Sequence, residues 1–206
     1  MNFSFVYFDV GGVLIKDFSQ TNKWEEMKRG LGITPEMDRE FESFWSEYED
    51  GVCLDVDVDE LVPKLNEELG LNLSKGFSWL DEFVKRFEKN EGIWPIVDDL
   101  QMKGIKMGLL TNQYPRLLEK IYAAGLMPEM GCEVVMDSSE AMLQKPDEEI
   151  FRLAEKEAGV SGKQILFVEN SVAHVEAAEN LDWQTFHYDS SDYDKANVEL
   201  RKRLRF

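Results

Sequence analysis

The chain has 206 residues, long enough to bury a full core with a small second domain. Its apolar share of 43% and aromatic share of 12% are those of a globular protein. A net charge of −18 argues against nucleic-acid binding, because a phosphate backbone needs basic stripes. The basic cluster Arg201-Lys202-Arg203 with Arg205 reads as a solvated last helical turn, where cations suit the helix dipole. Two cysteines, Cys53 and Cys132, make neither a disulfide framework nor a zinc site, and a reducing cytoplasm fits them. No apolar run approaches the ~20 residues of a membrane helix. The N-terminal apolar run is broken by Asp9 and two glycines and lacks a basic leader, so it does not read as a signal peptide.

The first element is a run of β-formers, Phe5-Val6-Tyr7-Phe8, that ends in Asp9 and continues as Val10-Gly11-Gly12-Val13-Leu14. Acids are rare at the end of an apolar strand unless they pair or do chemistry. In an open α/β sheet, sites lie at the carboxyl ends of strands. Asp9 is therefore the first candidate for a nucleophile or metal ligand. Gly11-Gly12 is not a dinucleotide fingerprint, since no third spaced glycine follows.

From about residue 17 to 92 the pattern is helical and highly charged. Trp24, Met27 and Leu31 suggest a short first helix. Met37, Phe41, Phe44, Trp45 and Tyr48 repeat at helical spacing, as do Leu61, Val62, Leu65 and Leu69, and then Phe77, Leu80, Val84 and Phe87. Gly32, Gly51, Gly70 and Gly92 are placed to stop these helices. The expectation is a bundle of about four helices, residues 17–92, inserted after the first strand of a core made by 1–16 and 93–206. The run Asp55-Val56-Asp57-Val58-Asp59 lacks the glycine and glutamate of a calcium loop and reads as a helix entry.

From Trp94 onward, helix and strand alternate. Helices are expected over 96–103, 115–124, 147–158 and 173–181, and strands over 105–110, 133–136, 164–168 and 184–188. The strands run into Thr111-Asn112, Asp137-Ser138-Ser139 and Glu169-Asn170. This alternation implies an α/β fold with a doubly wound parallel sheet. His174 reads as a helix-face residue and His187 as a strand-end residue.

Asp9, Thr111-Asn112, Lys145 and Glu169-Asn170 thus fall at strand ends or in loops on one edge of the sheet. Four motifs in order carry a resemblance: Phe8-Asp9-Val10-Gly11-Gly12-Val13-Leu14, Leu109-Leu110-Thr111-Asn112, Lys145-Pro146-Asp147-Glu148-Glu149-Ile150-Phe151, and Leu166-Phe167-Val168-Glu169-Asn170. Together they resemble the haloacid dehalogenase superfamily, most of whose members are phosphatases, and the helical insertion resembles that family's α-helical cap. The resemblance implies a Rossmann-like core and hydrolysis of a small phosphomonoester, such as a sugar phosphate. Asp9 would attack phosphorus to give an aspartyl-phosphate. A Mg²⁺ held by Asp9, the Gly11 carbonyl, Glu169 and Asn170 would neutralise charge. The Thr111 hydroxyl and backbone N–H groups near Asn112 would bind phosphate oxygens, and Lys145 would face both phosphate and Asp9. The expected partner is a small phosphorylated metabolite, and the chain a monomer or homodimer.

Three departures from the family pattern shape the expectation. Gly11 stands where most phosphatases of the superfamily carry a second Asp as general acid, although a branch with Asp-x-Gly-Gly or Asp-x-Gly-Asn, including an α-glucose-1-phosphatase, shares the glycine. The leaving oxygen would then depart with its charge or take a proton from water or from the cap. Asn170 replaces a charged oxygen by a neutral one, which should weaken Mg²⁺ binding. Met142 and Asp182 stand where the family has glycines. Two other readings follow: a catalytically weakened relative that binds a phosphorylated ligand or partner, and a carbon–halogen hydrolase, which would need no metal.

Overall fold

The computed structural model describes residues 3–49 and 51–205. The first strand, β1 (Phe5–Phe8), is buried along its whole length. Its side chains alternate between two cores, as a pleated strand requires when both faces are covered. Val6 and Phe8 enter one cluster, and Phe5 and Tyr7 the other. A tight loop follows Asp9, in which the Val10 carbonyl accepts the N–H groups of Leu14 and Ile15.

The two-residue strand β2 (Ile15–Lys16) leads into helices α1 (Lys23–Leu31) and α2 (Asp38–Tyr48). A 3₁₀ turn (Val58–Leu61) then leads into α3 (Val62–Leu69), and α4 (Trp79–Val84) follows. The chain returns through β3 (Glu88–Lys89), which pairs antiparallel with β2, Ile15 opposite Lys89 and Lys16 opposite Glu88. The outgoing and returning segments are thus stitched to each other at the edge of the helical layer. Behind the stitch lies a buried polar cluster, in which the Asn90 amide donates to the Val13 carbonyl at 2.7 Å and to the Tyr188 hydroxyl at 2.9 Å.

Helix and strand then alternate: α5 (Trp94–Met102), β4 (Lys106–Thr111), α6 (Leu117–Ala123), β5 (Cys132–Asp137), α7 (Ser138–Ala141), α8 (Glu148–Ala158), β6 (Ile165–Glu169), α9 (Val172–Glu179), β7 (Gln184–His187) and α10 (Tyr193–Leu204). The five long strands form one parallel sheet in the order β5-β4-β1-β6-β7. After β5 the chain crosses back to the other side of β1, which puts the topological switch point between β1 and β6, where ligands bind in open α/β sheets. The doubly wound parallel sheet expected from the sequence is present.

Within this agreement, several details differ. The helical spacing Phe77–Phe87 overstates α4, which ends at Val84. Phe87 closes a turn onto the Val84 carbonyl, and the next residues pair as β3. Gly32 and Gly70 end their helices in the left-handed conformation, as expected. Gly51 and Gly92 end none. An added Cβ at Gly51 would lie 2.7 Å from Val56, and at Gly92 2.4 Å from the Asn197 amide, so close packing accounts for both. The basic tail is the last turn of α10, but Arg201 pairs with Asp99 and Arg203 donates to Gln184, so it is not simply solvated. Met142 and Asp182 both adopt positive φ, +54° and +61°, the conformation for which glycine is suited. Among the described residues, no helix is long and apolar enough to cross a membrane.

Candidate active site

Asp9 begins where β1 stops. Its N–H donates to the Val168 carbonyl of β6, which fixes the carboxylate at the switch point. Glu169 is the last residue of β6, so two acids emerge side by side at one sheet edge. Between them lies the ammonium of Lys145, 3.0 Å from Asp9 Oδ1 and 2.6 Å from Glu169 Oε2, and donating to the Leu110 carbonyl at 2.9 Å. These three acceptors match the three N–H donors of an ammonium.

The backbone of Lys145 is positioned by Asn112. The Asn112 side chain accepts from the Lys145 N–H and donates to the Lys145 carbonyl, both at 2.9 Å, as a neighbouring strand would. Thr111 is fully buried, and its hydroxyl accepts from the Gln113 amide at 2.9 Å. It does not line the pocket in front of Asp9, whereas Asn112, Gln113 and Tyr114 do.

Exposure separates the charged groups. The side chains of Lys145 and Glu169 are 1% and 0% exposed, while that of Asp9 retains 12%. Glu169 is saturated. Its Oε1 accepts the N–H groups of Asn170 and Ser171 at 2.8 Å each, and its Oε2 faces Lys145 and, at 3.2 Å, His174 Nδ1. Asp9 gives only Oδ1 to Lys145, and among the described residues no donor takes its Oδ2.

The two acids consequently titrate apart. Burial pushes the Asp9 carboxyl up to about 6, and the Glu169 charge adds to this against the pull of Lys145. Burial also works against the Glu169 carboxylate, but the charge of Lys145 and the contact with His174 outweigh it and bring that group down to about 2. The shorter contact with Lys145 and the added contact with His174 decide which acid is held in its charged form.

These groups form the floor of a cavity of about 300 Å³. Ile15, Phe18, Phe87, Leu117 and Ile121 give it an apolar wall, and Asp17, Ser19, Gln113, Asn170 and His174 a polar one. Lys145 is the one Lys or Arg among the described lining residues. Gly12, at φ +74°, turns the loop past Asp9, and a Cβ there would lie 2.2 Å from the Asn170 amide. Gly11 has no such backbone need.

The sequence reading missed Asp17, Ser19, Gln113 and His174. Asp17 Oδ1 accepts the Ser19 N–H at 2.8 Å, and burial raises its carboxyl from the ordinary value. Ser19 Oγ accepts from the Asn170 amide at 3.2 Å, linking this segment to the end of β6. His174 had a signal in its place within the first turn of α9, over the end of β6.

The donor chemistry suits a hard divalent cation. No three His, Cys, Asp or Glu side chains cluster as a metal centre among the described residues. The floor instead offers carboxylate, amide and carbonyl oxygens at Asp9, Asn170 and Gly11, with one buried lysine against two buried carboxylates. Oxygen donors with surplus negative charge fit Mg²⁺, which keeps several of its waters.

A family model for haloacid dehalogenase-like hydrolases matches residues 5–182. A Mycobacterium tuberculosis protein named phosphatase MT3486 is 25% identical over 205 residues, covering 96% of this chain and 93% of that protein. Among solved structures, a predicted HAD-like hydrolase from Porphyromonas gingivalis superposes with a TM-score of 0.79 at 21% identity, with 100% of both chains covered. A HAD family enzyme from Bacteroides thetaiotaomicron, in complex with magnesium and inorganic phosphate, gives 0.73 at 19% identity, with 92% of this chain and 96% of that one covered. With the family model spanning most of the chain, the parallel sheet and the strand-end acids find their place: this protein belongs to the haloacid dehalogenase-like hydrolases.

Proposed function

We propose that this protein is a Mg²⁺-dependent phosphatase of small phosphomonoesters, acting through an aspartyl-phosphate on Asp9. The observation that carries the reading is the floor itself: a carboxylate with one oxygen unpaired, fixed by a buried lysine at the switch point. The family to which the chain belongs, the M. tuberculosis relative named as a phosphatase and the magnesium and phosphate bound by the B. thetaiotaomicron enzyme support it.

Asp9 is the nucleophile because it is the more exposed of the two acids and has an oxygen to spare. Lys145 holds that carboxylate in place and sets a positive charge beside the attacked phosphate. Asn112 supports the reaction indirectly, by fixing the backbone that carries Lys145. The role of Thr111 is to keep Gln113 in the pocket wall through their hydrogen bond, with phosphate oxygens left to groups that reach the cavity. Asp9, the Gly11 carbonyl and Asn170 would hold Mg²⁺, which would supply positive charge against the phosphate and Asp9 together. Glu169, with both oxygens occupied, adds charge to that site rather than an open ligand position. The helical segment 17–92 serves as a cap whose residues Phe18, Ser19, Cys53 and Phe87 shape the substrate end of the cavity.

A screen of phosphorylated metabolites and 4-nitrophenyl phosphate, with Mg²⁺ and with chelator, tests the reading. Turnover with Mg²⁺, its loss in chelator and its loss in Asp9→Asn are the expected results. Turnover of a haloacid in chelator, or retained phosphatase turnover in Asp9→Asn, would overturn it.

A further inference from the structure

Gly11 lies two residues beyond Asp9, on the loop that closes β1. An ideal Cβ built on Gly11 would sit 2.4 Å from Asp17 Oδ2. Gly11 does not adopt a positive φ, so its backbone would accept a side chain, and the obstacle is the Asp17 carboxyl alone. The space that a side chain at residue 11 would fill beside Asp9 is therefore filled by an acid arriving from residue 17. That acid lines the cavity together with Asp9. Its Oδ1 is tied to the Ser19 N–H, which leaves Oδ2 as the oxygen turned towards Gly11.

Besides Asp9 and Asp17, the cavity is lined by Lys145, Glu169, His174, Tyr114 and the Cys53 thiol, which burial pushes up to about 11. Lys145 donates to three acceptors. Glu169 accepts on both oxygens, and His174 Nδ1 faces it. The Tyr114 ring is enclosed by Trp45 and Phe83, at 6.2 and 5.4 Å between centroids. An ordinary alcohol leaves phosphorus as a strongly basic alkoxide, and a positioned acid relieves that charge.

We propose that Asp17 is the general acid and base of this site, an inference that rests on the phosphatase reading above. In the first half-reaction an Asp9 oxygen bonds to phosphorus, and the bond from phosphorus to the ester oxygen breaks. The electron pair goes to that oxygen, which takes the proton from Asp17 and leaves as the alcohol. In the second, a water oxygen attacks the aspartyl-phosphate while the Asp17 carboxylate takes one of its protons. The phosphorus–Asp9 bond then breaks, its electron pair returns to Asp9, and phosphate departs. Asp17 ends protonated, as it began.

The test compares methyl phosphate with 2,4-dinitrophenyl phosphate, whose leaving group needs no proton. For Asp17→Asn, kcat/KM on methyl phosphate should fall by about 10²–10⁴-fold, the usual contribution of a general acid. In kcat/KM, which reads the first half-reaction and not the shared hydrolysis of the aspartyl-phosphate, the aryl ester should lose less than about tenfold, because its leaving group gains little from protonation. Its turnover also reports that the variant is folded. The double variant Gly11→Asp/Asp17→Ser moves the acid into the vacated space and should recover methyl phosphate turnover over Asp17→Ser alone. Equal losses on both esters, or no loss on either, would overturn the proposal and leave the phosphatase reading standing. Failure of the wild type on both esters would overturn that reading, and the proposal with it.

Discussion

The floor of the pocket and the helical layer above it are held together by different forces. The floor is a set of buried charges, Asp9, Lys145 and Glu169, each position fixed by short polar contacts. The helical layer is a web of aromatic rings: Trp24 on Trp45 at 5.1 Å, Trp45 on Trp79 at 5.5 Å, Phe83 on Tyr114 at 5.4 Å. Each ring contact adds only about 0.5–1.5 kcal/mol beyond the area it buries, so a change at the exposed edge of this layer costs little, although loss of a fully buried ring does not. Buried charges behave differently: removal of one leaves its partner uncompensated in a low dielectric. The floor should therefore respond sharply to single substitutions, and the edges of the helical layer weakly.

The sharpest break is Lys145→Met. It leaves Asp9 and Glu169 facing each other without their cation, and burial of an unpaired charge costs about 3–5 kcal/mol. Urea denaturation should show that loss at pH 8, and a smaller one at pH 5, where Asp9 takes up a proton. Equal losses at both pH values would mean that the two acids do not repel each other.

Asp9→Asn should have the opposite sign for stability. The folded Asp9 carboxyl titrates near 6, above its unfolded value, so the folded state binds the extra proton between about pH 4 and 6. Stability from this group is full below its unfolded pKa and is lost as pH rises through 6. The variant lacks that loss. In chelator it should therefore be more stable than wild type by about 1–3 kcal/mol at pH 8, with the gain fading towards pH 4. Glu169, held down near 2, works the other way, and its contribution is lost only as pH falls from above 4 towards 2. Thermal unfolding of both proteins across this range checks the sign.

What could be read from the sequence follows the same division. Strand ends and their acids were legible, because a β-run that stops at Asp9 or Glu169 leaves a continuous apolar run and a polar interruption. The positive φ at Met142 and Asp182 was foreshadowed by glycines expected there from the family resemblance. Asp17 was not legible as part of the cavity wall. It lies in irregular chain between β2 and α1, and its approach to Gly11 follows from the loop that bridges Gly11 to Ile15, a fold-back that no period in the sequence marks. Helical spacing also ran on through Phe87, although tertiary pairing as β3 ended the helix. For α10 the signals were present but went unread except in its last turn: Asp192 caps it through the Lys195 N–H, and Ala196, Leu200 and Leu204 form its buried stripe.

Asn170→Asp sharpens the electrostatic side of the comparison. It adds a negative oxygen where the amide now donates to Ser19, beside the surplus charge of Asp9 and Glu169. Mg²⁺ affinity measured by calorimetry should rise by about tenfold, since ligand charge count tunes affinity at oxygen sites. Without metal, the variant should be less stable than wild type, because the new charge joins two acids that share one lysine. An unchanged Mg²⁺ affinity would place residue 170 outside the metal site.

The smallest effect is expected where the helical layer meets α6. Arg116 forks onto Asp57, with Nε at 2.6 Å from Oδ2 and Nη2 at 2.7 Å from Oδ1, and also reaches Asp59 at 3.0 Å. The geometry is as good as that of the floor, but the Arg116 side chain is 47% exposed. Water screens such a pair, and exposed ion pairs contribute about 0–1 kcal/mol. Arg116 also holds φ +68°, a conformation that disfavours a side chain, so part of the pairing energy offsets local strain. Arg116→Gly should remove the pair and the strain together and change stability by less than about 1 kcal/mol. Arg116→Ala keeps the strain and should cost more than Arg116→Gly. Asp59 retains the N–H groups of Trp79 and Leu80 in either variant, so the entry to α4 should survive. A loss from Arg116→Gly as large as that from Lys145→Met would show that contact geometry, rather than burial, sets the strength of an ion pair in this molecule.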